Sequence, residues 1–116
     1  MSKFTLSCYR KEEKIKFSLS VFRTLKIRTL YNRNLKIIIS QKGDYIKVYR
    51  ARSEDFTQGV YYFADTNGYV SSRDLLHAIF FHFDKGHSNK LVFTGTEKRA
   101  KNNNRHYIEF KLKEAK

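Results

Sequence analysis

Lys14-Ile15-Lys16-Phe17-Ser18-Leu19-Ser20-Val21-Phe22-Arg23-Thr24-Leu25-Lys26-Ile27-Arg28 is the stretch on which a reading of the fold turns. Its odd positions Ile15, Phe17, Leu19, Val21, Leu25 and Ile27 are apolar, broken only by Arg23. Its even positions are basic or hydroxylic, broken only by Phe22. A period of two reads as a half-buried β-strand with a basic outer face. The run is long for one strand, so a bend or bulge is expected near Phe22 and Arg23. A helix over Ser18–Ile27 is the rival reading, but it would smear the polar positions around a cylinder.

Most of the flanking sequence keeps the same period. Phe4–Arg10 alternates. Leu35–Ser40 and Tyr45–Ala51 flank the polar turn Gln41-Lys42-Gly43-Asp44 and predict a hairpin. Gly59–Ala64 and Tyr69-Val70 sit either side of Asp65-Thr66-Asn67-Gly68, whose Asn-Gly step favours a tight turn. Leu91–Thr94 and His106–Leu112 predict a second hairpin around the polar loop Gly95–Arg105.

One segment changes period. Leu75, Leu76, Ile79, Phe80 and Phe83 recur as a single helical stripe, with Ser71 as an N-cap candidate, Asp74 three residues on, and Gly86 beyond the far end. The expectation is a single α+β domain over residues 1–116. It consists of a mainly antiparallel sheet of about six to seven short strands, with one amphipathic helix (about 72–85) packed on one face.

Charge narrows the function. Lys and Arg number 24 against 11 Asp and Glu, a formal +13 in 116 residues, with net +8 in residues 1–40, +1 in 41–90 and +4 in 91–116. So large an excess favours a polyanionic partner, and ten Phe with eight Tyr are too many for a disordered tail. With no Pro and five Gly the chain is neither linker-like nor proline-rich. No apolar run approaches the ~20 residues of a membrane span. A sole cysteine, Cys8, and the absence of a leader-like segment point to a reducing, cytoplasmic setting.

Basic residues interleaved with aromatics supply the candidate surface. If Ile46 and Val48 face the core, Tyr45, Lys47 and Tyr49 share the opposite face, where rings can stack on unpaired bases while cations meet phosphates. Arg50 and Arg52 continue the basic character, though alternation puts them on the other side. Lys98, Arg99, Lys101 and Arg105 surround Asn102, Asn103 and Asn104 in a loop able to clamp a phosphate backbone, ordering on contact. This loop is expected to outweigh Lys3, Lys11 and Lys116, whose mobility near the chain ends makes each contact costlier. Lys14, Lys16, Lys26 and Arg28, on the outer face of the long strand, are the third contributor. Tyr is also a good strand former, Asn suits plain turns, and Lys protects edge strands.

Catalytic and metal-binding patterns are thin. His82 and His87 flank Asp84 but are poorly spaced on a helix interrupted by Gly86, and no cysteine lies nearby to complete a zinc set. His77 and His106 are isolated. Glu109-Phe110-Lys111 matches the Glu-x-Lys strand fragment of a metal-dependent nuclease, with Asp65 or Asp84 offered as a further ligand, but alternating charges on an exposed strand are its ordinary explanation. No catalytic residue, metal ligand or cofactor is assigned. The reading favoured is a nucleic-acid-binding domain for single-stranded DNA or RNA with low sequence specificity. An accessory module for an acidic protein and a small nuclease are the alternatives, and an edge strand offers a route to a homo-oligomer.

Overall fold

The structure, a computed structural model, describes residues 3–27, 33–59, 61–84, 86–101 and 104–116, with Phe56 described by its backbone alone. Among these residues are eight strands and three helices. In chain order they are β1 (Phe4–Tyr9), β2 (Lys14–Phe17), α1 (Ser20–Thr24), β3 (Asn34–Ile39), β4 (Ile46–Arg50), α2 (Ser53–Gln58), β5 (Tyr62–Phe63), β6 (Tyr69–Val70), α3 (Arg73–Phe83), β7 (Lys90–Arg99) and β8 (His106–Ala115). The strands form one sheet in the order β5-β3-β4-β8-β7-β1-β2-β6, with every pairing antiparallel. Its two end strands then meet. Ala64 bridges Val70, and the Asp65 N–H donates to the Tyr69 carbonyl at 2.9 Å, so the sheet curls into a nearly closed barrel. The expected sheet type is present, with more strands and more helices than the sequence pattern suggested. The end strands β5 and β6 have two residues each, and beyond them Lys36 to Ile39 of β3 pair on the β4 side alone, which leaves that stretch as the edge offered above for self-association.

The decisive stretch is not one strand. β2 ends at Phe17, and the chain then turns into α1, with Val21, Phe22 and Leu25 buried and Leu19 exposed. Positions 21, 22 and 25 have helical spacing, so Phe22 and Arg23, which looked like a bulge, mark the change of period. Hydroxyls make the corner: Ser18 Oγ accepts the Thr5 N–H at 3.0 Å and Ser20 Oγ donates to the Lys3 carbonyl at 2.6 Å. At its far end the Ile27 N–H reaches the Phe22 carbonyl at 2.8 Å and the Lys26 N–H reaches Arg23 at 3.1 Å. This double closure is a Schellman motif, with Lys26 in the left-handed region at φ 61°.

Strand alternation fills the barrel. Phe4, Leu6, Cys8, Ile15, Phe17, Leu35, Ile46, Val48, Leu91, Phe93, Ile108 and Phe110 all point into one core. Burial pushes the Cys8 thiol up to about 12, so it behaves as a small apolar group. Because the strands alternate in direction, the β1–β2 and β3–β4 turns share one end of the barrel. The β5–β6 turn, α1 and the β7–β8 loop share the other.

α3 closes the first end. Its Leu75, Leu76, Ile79, Phe80 and Phe83 join the core, with Phe83 edge-on to Phe93 at 5.0 Å. Arg73 pairs with Glu13, and His82 Nδ1 lies 3.2 Å from the Gln41 carbonyl. Ser72, not Ser71, is the N-cap, accepting the Leu75 N–H, and the helix stops before an extended Asp84 rather than at Gly86. At φ +73°, Gly43 lets the β3–β4 turn approach α3 so closely that a Cβ there would lie 2.2 Å from the His82 carbonyl oxygen. α1 closes the second end, its Phe22 ring 3.5 Å from where a Cβ on Gly68 in the β5–β6 turn would stand, beside the end of β2. A Cβ on Gly68, at φ +88°, would lie 2.2 Å from the Phe17 carbonyl oxygen.

Candidate functional site

Inward Ile46 and Val48 do turn Tyr45, Lys47 and Tyr49 outward on β4. Pairing registers place Lys36, Tyr49, Tyr107 and Lys98 side by side across β3, β4, β8 and β7. Beside them runs the row Ile38, Lys47, Glu109 and Thr96. The Tyr49 and Tyr107 rings lie 5.0 Å apart at 34°. Lys47 sits over Tyr45 at 4.9 Å and over Tyr107 at 5.4 Å, and Arg105 covers Tyr49 at 4.7 Å. Burial raises the Tyr49 phenol above its ordinary pKa, the neighbouring cations only partly opposing it.

Lys47, Tyr49, Lys98, Arg99, Lys101 and Tyr107 line one shallow recess on this face. The sequence missed Tyr107. Its signal was available, because it alternates with Glu109 and Lys111 on the strand that was read only for a Glu-x-Lys fragment.

The cations differ in how far they are already engaged. Lys98 Nζ lies 2.5 Å from Glu109, which raises the lysine pKa, and this pair accounts for the Glu109 of the nuclease-like fragment. Arg105 is 3.1 Å from Asp55, whose buried carboxylate also accepts the Arg52 N–H at 2.7 Å and meets Lys36 at 3.4 Å. Burial pushes the Asp55 carboxyl up, but the Arg52 N–H, the Arg105 guanidinium and Lys36 outweigh it and the net shift is downward.

The 98–105 segment is therefore not a loose clamp. Lys98 and Arg99 belong to β7, and the Ala100 N–H closes onto the Arg105 carbonyl at 2.9 Å. Two of its four cations are held by carboxylates. Asn102 and Asn103 lie outside the described residues, as does Arg28.

The long-strand cations divide. Lys14 and Lys16 flank Tyr69 at 5.4 and 5.3 Å, on β2, four strands away from β4 in the eight-stranded sheet. They form a separate basic patch and do not extend the Tyr49 face. Lys26 left the strand with α1 and meets different neighbours, at the α1 end of the barrel. There Leu25, Lys26, Arg50, Arg52, Arg99, Arg105 and His106 line a cleft of about 110 Å³. Arg50 and Arg52 point away from the Tyr face as alternation required, and into this cleft.

Asp84, Asp65 and His106 have structural partners. Asp84 accepts from Gly86, Ser88 and Arg10, and burial, which raises its pKa, is outweighed by these donors so that the net shift is downward. Asp65 Oδ1 accepts the Asn67 and Tyr69 N–H groups in the β5–β6 turn. His106 Nε2 lies 2.5 Å from Glu97, while His77 and His87 are exposed. Among the described residues no group of three or more His, Cys, Asp or Glu is arranged to hold a metal ion, and no helix is long and apolar enough to cross a membrane. Comparison of the chain with protein-family models, with curated proteins and with solved structures finds no match.

Proposed function

We propose that the chain is a nucleic-acid-binding module that takes single strands with low sequence specificity on the outer face of β3, β4, β8 and β7. The observation that supports this reading is the convergence of Lys47, Arg99 and Lys101 with the paired rings of Tyr49 and Tyr107 around one recess. Cations anchored on a rigid sheet meet successive phosphates with little ordering cost, and the partly exposed Tyr49 ring, packed against the buried Tyr107, offers contact to an unpaired base. Among the described residues the one helix longer than six residues, α3, exposes Arg73, Asp74, His77 and Phe81, a face with one arginine and a carboxylate that suits a major groove poorly.

Titration of single- and double-stranded oligonucleotides at several salt concentrations tests the proposal. Three to four phosphate contacts give a log–log salt slope of about −2 to −3 on single strands. Lys47→Gln with Lys101→Gln flattens that slope by about 1.4, independent of base sequence. Absence of binding to either form at low salt overturns the proposal.

A further inference from the structure

The cleft at the α1 end holds more positive charge than the fold can use. Lys26, Arg50, Arg52 and Arg99 line it together with Arg105, and only Arg105 is paired, with Asp55. Among the described residues none of the other four makes an ion pair. Glu97 is engaged by His106, which lines the cleft. Gathering like charges in one recess is a standing repulsion that a bound anion relieves. Arginine forks suit phosphate oxygens, which they grip in pairs.

We infer that this cleft receives the terminal phosphate monoester of a nucleic-acid strand lying on the neighbouring sheet face. The inference rests on the function proposed above. Arg99 lines both the recess and the cleft, so a strand in the recess has its end within reach of the cleft. The cleft, of about 110 Å³, has room for a phosphate group. Charge separates an end from the middle of a strand. An internal phosphodiester brings one negative charge, whereas a terminal monoester brings about −1.5 to −2 and three free oxygens, the better match to several unpaired cations.

The test compares one short single-stranded oligonucleotide in three forms: 5′-phosphorylated, 3′-phosphorylated, and hydroxylated at both ends. Binding is read by fluorescence anisotropy against the parent chain and Arg50→Gln/Arg52→Gln. The parent is expected to bind one phosphorylated form about tenfold tighter than the hydroxyl form, and which form it is assigns the strand's direction. The variant should lose most of that preference while its affinity for the hydroxyl form changes less. Equal binding of all three forms overturns the inference and leaves the sheet-face proposal standing. A preference that survives in the variant also overturns it, by placing the end elsewhere. Failure of all three forms to bind at low salt removes both.

Discussion

The two ends of the barrel are each closed by a helix and differ in how their arginines are paired. At the α3 end Arg10 meets Asp84, Arg73 meets Glu13, and Arg10 also stacks over Phe80 at 4.2 Å. At the α1 end Asp55 holds Arg105, while Lys26, Arg50, Arg52 and Arg99 face the cleft with no carboxylate partner among the described residues. One end uses its arginines to tie turns to a helix. The other keeps them available, and the difference separates charges that serve the fold from charges that need a ligand.

The largest expected effect tests where that division runs. Arg105 is in the cleft yet belongs with the structural charges, because its side chain is 11% exposed and Asp55 beside it 3%. Arg105→Ala strands a buried carboxylate with Lys36 as its remaining cation and should cost about 3 kcal/mol in chemical denaturation. Arg10→Ala, at the other end, removes a side chain that is 47% exposed and leaves Asp84 its Gly86 and Ser88 donors. Its cost should be nearer 1 kcal/mol. Equal losses would erase the contrast between the two pairs. Arg105→Ala is for the same reason a poor probe of binding, since its effect mixes folding with contact.

Acid sharpens the comparison with a smaller effect. Asp55 and Asp84 both have folded pKa values below their ordinary 3.8, so each contributes stability above that value that is lost as pH falls through the folded pKa. The denaturation midpoint should hold steady above about pH 5 and decline below about pH 4. Asp55→Asn and Asp84→Asn should each flatten part of that decline. An acid limb unchanged in Asp55→Asn would remove the Arg105 pair from the account of stability.

How much of this was legible depends on whether one local period governed each element. α3 was legible because its apolar stripe sets the helix, while its ends shifted, to a Ser72 cap and an extended Asp84 in place of Ser71 and Gly86. β4 was legible because alternation alone sets which side Tyr45, Lys47 and Tyr49 take. Lys14–Arg28 was not, because a helix of five residues leaves the apolar count on odd positions almost intact and shows itself only at Phe22 and Arg23. α2 was missed for a related reason: Ser53–Gln58 has no apolar stripe, and its fixed point is Asp55 turned inward onto Arg105, fifty residues away in the chain. Barrel closure was equally out of reach, since a bridge between Ala64 and Val70 is a consequence of curvature accumulated over all eight strands. That closure is what put Lys14 and Lys16 on a different side from Tyr49.

The smallest expected change in stability is the one that best separates the two kinds of charge. Lys26 occupies the left-handed position that ends α1, where glycine fits without a Cβ penalty. An L-residue there costs about 1 kcal/mol, and glycine's greater freedom in the unfolded chain offsets part of that gain. Lys26→Gly should thus leave stability unchanged or raise it by less than about 1 kcal/mol. If the lysine stands there for an anion, the same substitution should weaken oligonucleotide binding and lower the magnitude of the salt slope by about 0.7, one phosphate contact on a single strand. A variant that gains stability and loses affinity shows a cation kept at the expense of the fold. A variant that loses stability with its salt slope intact places Lys26 beside Arg10 and Arg73, as a side chain whose task is packing, and removes it from the cleft's charge.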